Sequence, residues 1–159
     1  MTDLLKIIYL VWLLIFINAC SDEQLPIGRM PPVLSLGEVA PDFYYQALMV
    51  SNEQPKKLSS LNGKVIYVDF WASWCKPCLI SMPLLNQLYA ELKDSGFEMI
   101  AVNLDNEPEK GRQFIVEHPV NYAVVRSDNE SIAELYQING LPTAYLIDRQ
   151  GVIRYVHQG

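Results

Sequence analysis

The chain has 159 residues, 50% of them apolar and 19% charged, and 18 acidic against 12 basic side chains leave a net charge of −6. That balance argues against nucleic acid, which selects Lys/Arg-rich faces, so no nucleic-acid partner is expected. Three cysteines supply no framework of structural bridges, so the fold must stand on its hydrophobic core.

Residues 1–19 read as a signal peptide. Lys6 gives a weakly basic start, partly offset by Asp3, and the apolar run Ile7 to Ile17 falls short of the ~20 residues a helix needs to cross a bilayer. The tetrapeptide Ile17-Asn18-Ala19-Cys20 resembles a bacterial lipoprotein signal, which implies cleavage before Cys20 and lipidation of its sulfur. An ordinary secretory signal, or an uncleaved anchor extended through Leu4 and Leu5, would also place the rest of the chain outside the cytoplasm. Residues 20–37, with Pro26, Pro31, Pro32, Gly28 and Gly37, resist regular structure and read as a tether. One domain is expected over 38–159.

Within it, Asp42 to Leu48 and Val65 to Phe70 have strand character. Leu79, Met82, Leu85, Leu88, Tyr89 and Leu92 recur at helical spacing, so a helix is predicted that ends before Gly96 and is kinked near Pro83. Met99 to Leu104 is a second buried strand, and Pro108 suits the first position of a helix reaching His118. Ala123 to Val125 is a short strand and Ile132 to Tyr136 a short helix. Thr143 to Ile147 and Val152 to Val156 form two strands joined by Asp148-Arg149-Gln150-Gly151, a turn composition. The alternation of strand and helix predicts an α/β fold, a central mixed sheet with helices on both faces.

Between the strand at Val65 and the helix stands Trp74-Cys75-Lys76-Pro77-Cys78. Two thiols at this spacing can make and break one disulfide. The first sits at a helix N-terminus, where free N–H groups and the helix dipole favour thiolate, and the second lies one turn on. Cys75 can then attack a substrate disulfide and Cys78 can resolve the mixed disulfide. Two duller readings stay open. The pair could be half of a zinc site, although only Cys20, His118 and His157 could complete it, or a structural disulfide, although so short a loop restrains little chain entropy. No metal and no cofactor beyond the redox-active disulfide are expected. Lys76 adds a cation between the sulfurs and Pro77 fits an early helical position.

With these residues in place the chain resembles the thioredoxin superfamily, and within it the membrane-tethered TlpA/ResA-like thiol-disulfide oxidoreductases. The likeness runs from about Leu36 to Gly159 and rests on Ala40-Pro41-Asp42-Phe43, Gly63-Lys64-Val65, Asp69 through Cys78, Gly140-Leu141-Pro142-Thr143, Leu146-Ile147-Asp148 and Gly151. It implies a thioredoxin-like fold, a cis peptide at Pro142 against the disulfide, and backbone there free to pair with a bound peptide strand; a trans proline opening an edge strand is the alternative. It also implies a role for Asp69. A carboxylate amid an apolar strand costs several kcal/mol to ionise, and in thioredoxins the matching acid takes the proton of the second cysteine, here Cys78. Otherwise Asp69 is a buried carboxylate satisfied by neighbouring donors. Many tethered relatives carry a neutral residue there, so on this point the chain resembles the generic reductases. Trp74 and Leu141 are expected to line the site with apolar surface, while Trp71 could be lining or core, and His118 and His157 receive no role.

The expected function is therefore a lipid-anchored thiol-disulfide oxidoreductase on the extracytoplasmic face of the cell envelope. It would reduce disulfides in exported proteins and be recharged by a membrane electron donor. Ser81 stands where relatives that reduce apocytochrome c often carry an acid, so cytochrome maturation is one candidate pathway among several. The rivals are a disulfide donor, an anchored binding domain, and a thiol peroxidase, for which Phe70 and Trp71 stand where its Thr motif is needed. The chain stops at Gly159 directly after the last predicted strand, where the resemblance implies a further helix covering one sheet face; that final helix is expected to be absent.

Overall fold

The computed structural model describes residues 34–50, 53–127 and 132–159. The expected signal segment, Cys20 and most of the tether lie outside the described residues. Seven strands make one mixed sheet in the order β2-β1-β5-β4-β3-β6-β7, with β1 at Tyr44–Ala47, β2 at Lys56–Lys57, β3 at Val65–Trp71, β4 at Phe97–Asn103, β5 at Ala123–Ser127, β6 at Thr143–Ile147 and β7 at Ile153–Gln158. The helices are α1 at Lys76–Leu92, α2 at Pro108–Glu117 and α3 at Ile132–Leu135. β3, β4 and β5 run parallel, β6 joins β3 antiparallel with β7 antiparallel at that edge, and β1 joins β5 antiparallel with β2 antiparallel at the other edge.

β3 is an interior strand between β4 and β6, and it reads as an almost unbroken apolar run because both of its faces are covered. Ile66, Val68 and Phe70 face one core with Ile100, Val102, Tyr145 and Ile147, closed by Leu58, Ile132 and Tyr136. Trp71 faces the other, with Met99 and Ala101 under Cys78 and Met82 of α1 and Ile115 of α2. Helices thus lie on both faces, as the alternation predicts.

α1 opens at Cys75, runs through Pro83 to Leu92, and gives way to a short 3-10 turn that ends at Gly96 with φ +80°. That left-handed position is the one a glycine C-terminus supplies. α2 opens on Pro108, where the missing N–H costs nothing. Two differences from the sequence expectation concern the sheet edge. β1 is shorter than Asp42 to Leu48, and β2, only Lys56–Lys57 paired with Tyr44 and Tyr45, carries no apolar alternation to announce it. Two exposed lysines on an edge strand also discourage pairing with another chain.

Candidate active site

Cys75 and Cys78 are joined as a disulfide, their Cα atoms 5.3 Å apart. Cys75 is the N-cap of α1, and its Sγ accepts a hydrogen bond from the backbone N–H of Cys78 at 3.3 Å. A sulfur in that position stands in for the cap oxygen of an ordinary helix and meets the positive end of the helix dipole, the arrangement that favours a thiolate once the disulfide is opened. The turn is closed behind it by Cys75 N–H donating to Ala72 O at 3.0 Å, and the first helical bond, Leu79 N–H to Cys75 O, spans 3.1 Å. Pro77 falls in the first turn of α1, where its missing N–H leaves no bond unmade. In this oxidised form Cys75 is 3% exposed and Cys78 1%.

Asp69 lies on β3 at 2% exposure. Side chains alternate along a strand, so Asp69 shares the face of Val65, Tyr67 and Trp71, the face on which α1 buries Cys78. Its register partners on both sides are alanines, Ala101 on β4 and Ala144 on β6, neither of which offers a polar group. Oδ2 has no hydrogen-bond partner among the described residues, and burial pushes the carboxyl up to about 7. The indole N–H of Trp71 and the hydroxyl of Tyr122 are likewise without partners among the described residues. Burial first, and then the charge of Asp69, pushes the Tyr67 hydroxyl up to about 12 and raises that of Tyr122.

A second buried carboxylate, Asp105, sits just past the end of β4. It accepts from the Ser73 N–H at 3.0 and 3.2 Å, from the Ser73 hydroxyl at 2.9 Å and from Asn103 Nδ2 at 2.7 Å. Ser73 belongs to the short loop between β3 and Cys75. The Leu141–Pro142 peptide is cis, Pro142 is buried, and Leu141 packs against the cluster that holds both cysteines.

Residues 35–159 match the model of the redoxin family. The chain belongs to the redoxin family. Among its relatives is the thiol-disulfide oxidoreductase ResA of Oceanobacillus iheyensis, 38% identical over 80% of this chain and 67% of the relative. Two solved structures share the fold: a candidate DsbE thiol:disulfide interchange protein from Chlorobium tepidum, 39% identical with a TM-score of 0.73 over 79% of this chain and 86% of the other, and the thioredoxin domain of a thiol-disulfide oxidoreductase from Bacteroides vulgatus, 29% identical with a TM-score of 0.72 over 79% and 89%. This redoxin is a thiol-disulfide oxidoreductase with the thioredoxin-like fold.

In this redoxin the structure gathers Cys75, Cys78 and Leu141 into one cluster and turns Asp69 toward the same face. Trp74, at 68% exposure, and Lys76 and Pro77 are exposed around the disulfide. Trp71 is wholly buried and packs on Phe114, so the choice left open by sequence falls to core. Among the described residues no group of three or more His, Cys, Asp or Glu side chains could hold a metal ion. Sequence reasoning passed over Ser73, Asn103 and Asp105. The signal that could have found them is positional: polar residues just past parallel strands in an α/β sheet sit where such folds build their sites.

Proposed function

We propose that this redoxin is a membrane-tethered reductase of disulfides in exported proteins, held by a lipid on Cys20 and recharged by a membrane electron donor. The Cys75 thiolate attacks one sulfur of the substrate disulfide, forming a mixed disulfide and releasing the other sulfur as a thiolate. Asp69 accepts the proton of the Cys78 thiol, and the resulting thiolate attacks Cys75 Sγ, releasing the second substrate sulfur and closing the Cys75–Cys78 disulfide. Two electrons pass from the protein's dithiol to the substrate, and a donor dithiol must return them. Trp74, Lys76 and Pro77 form the exposed surface that receives the substrate strand, and half-buried Leu141, held by its cis bond to the buried Pro142, offers it backbone groups.

One observation carries the reading: Cys75, disulfide-bonded to Cys78, is the N-cap of α1 and its Sγ accepts from the Cys78 N–H at 3.3 Å, the position that favours an attacking thiolate. The buried Asp69 carboxyl on the same sheet face, pushed up to about 7 by burial, supplies a base suited to neutral pH. The decisive measurement is the reduction potential of the full chain equilibrated against glutathione and dithiothreitol buffers. A value near about −270 mV, at the thioredoxin end of the scale, supports a reductase, whereas one near about −120 mV makes the protein a disulfide donor and overturns the proposed direction.

A further inference from the structure

The loop from Trp71 to Cys75 is tied at each end. Leu104 N–H donates to Trp71 O at 2.8 Å, and Cys75 N–H to Ala72 O at 3.0 Å. Between these ties Asp105 fastens the loop through its three contacts to Ser73 N–H and Oγ. Asp105 is itself only 9% exposed, and a carboxylate that far from water is costly unless its donors are in place. Its remaining donor, Asn103 Nδ2, is held because Asn103 Oδ1 accepts in return from the Asp105 N–H at 3.3 Å. Asn103, 7% exposed, is pressed from behind by α2: a Cβ added to Gly111 would lie 2.7 Å from both Nδ2 and Oδ1 of its amide. A continuous line of contacts therefore runs from Gly111 through Asn103 and Asp105 to Ser73, two residues before the nucleophile.

The geometry points to Asp105 as a positioning residue of the redox centre: with Asn103 it pins Ser73 and so holds Cys75 Sγ at the N-terminus of α1, where the Cys78 N–H reaches it. The N-terminal field and that hydrogen bond stabilise a thiolate only while the sulfur stays within bonding range. Releasing the loop withdraws the stabilisation without touching either cysteine. The charge of Asp105 acts in the opposite sense, since a nearby anion disfavours a thiolate, and this makes the two contributions separable. This role rests on the proposed exchange chemistry, but it concerns Cys75 alone and can be read without any substrate or electron donor.

The test is the pH profile of Cys75 alkylation by iodoacetamide in the full chain, in a Cys78→Ser background, followed by mass spectrometry on the peptide bearing Cys75. Asp105→Ala should raise the Cys75 pKa and slow alkylation at pH 7 by about three- to tenfold, a shift of roughly half to one pKa unit. Asp105→Asn keeps an oxygen to accept from the Ser73 N–H and should recover the parent rate to within about twofold. Gly111→Ala, remote in sequence from both cysteines, should slow alkylation in the same direction by displacing Asn103. Should Asp105→Ala fail to fold, Ser73→Ala and Gly111→Ala carry the test, Ser73→Ala giving the smaller slowing because only the Oγ bond is lost. Profiles that superimpose on the parent while melting temperatures fall would make the cluster merely structural and overturn the proposal. Faster alkylation in both Asp105 variants would overturn it too, by showing that charge and not position is what Asp105 supplies.

Discussion

Replacing Asp69 with Asn separates what this carboxylate costs the fold from what it does in the reaction. Its carboxyl stands at about 7 in the folded protein against 3.8 for an ordinary aspartate, a difference of roughly three pKa units, or about 4 kcal/mol at 1.36 kcal/mol per unit. Because the folded value is the higher one, the folded chain binds the extra proton between pH 3.8 and about 7. Stability is therefore greatest below the unfolded value and falls as the pH rises toward the folded value. Asn is neutral at every pH but brings buried N–H donors into a site with no acceptor on its alanine neighbours, at a cost of about 1–3 kcal/mol. The packing cost is common to all pH values and cancels when two of them are compared. Urea unfolding of the oxidised protein should thus show the Asn variant less stable than the parent at pH 4 and more stable at pH 8, the two differences separated by about 4 kcal/mol. In stopped-flow assays the same variant should release the second substrate thiol about a hundredfold more slowly, the usual loss on removing a general base. A stability difference that is flat from pH 4 to pH 8 would refute the raised carboxyl, and with it the general-base role.

Two further substitutions probe the surface and the opposite face of the sheet. Trp74→Ala removes a side chain that is 68% exposed, so stability should stay within about 0.5 kcal/mol; KM for a folded protein disulfide should rise while turnover of a small aromatic disulfide is unchanged, a split that equal losses on both substrates would contradict. Tyr136→Phe deletes the bond from a fully buried hydroxyl to Pro41 O at 2.6 Å, leaving that carbonyl short of a donor, and should lower the urea midpoint by the equivalent of about 1–3 kcal/mol at constant slope. No loss of midpoint would mean that Pro41 finds another donor.

What sequence made legible was local. The β6–β7 hairpin was readable because its turn is built by the residues that announce it: Asp148 Oδ1 accepts from the N–H groups of Gln150 and Val152, and Gly151 takes φ +81°. The placement of Cys75 and Cys78 was readable because a strand, a short loop and a helix with Pro in its first turn succeed one another without interruption. The site's remaining polar groups were not readable, since they depend on pairing between distant segments. Ser73 and Asp105 are separated by 32 residues and meet only because β3 and β4 pair in parallel with Trp71 opposite Asn103. Trp71 and Trp74 make the same point. Both precede Cys75 in an apolar stretch, yet one is the last residue of a doubly covered strand and the other stands on the loop beyond it, and only the end of β3 decides which is which.

Near the ends of β3 and β4 the fold holds two carboxylates and treats them in opposite ways. Asp105 is given donors for both of its oxygens, so its negative charge is made part of the frame. Asp69, flanked by Ala101 and Ala144, has an Oδ2 that is given none among the described residues, and its carboxyl is pushed up to about 7. A fold selected for stability alone would supply Asp69 with a donor or replace it with an apolar residue, since either change removes a cost of several kcal/mol. Leaving a buried acid with an unpartnered oxygen on the face where α1 buries Cys78, while Asp105 has donors for both oxygens, separates the two tasks the chemistry imposes: one group must not move, and the other must be able to gain and lose a proton.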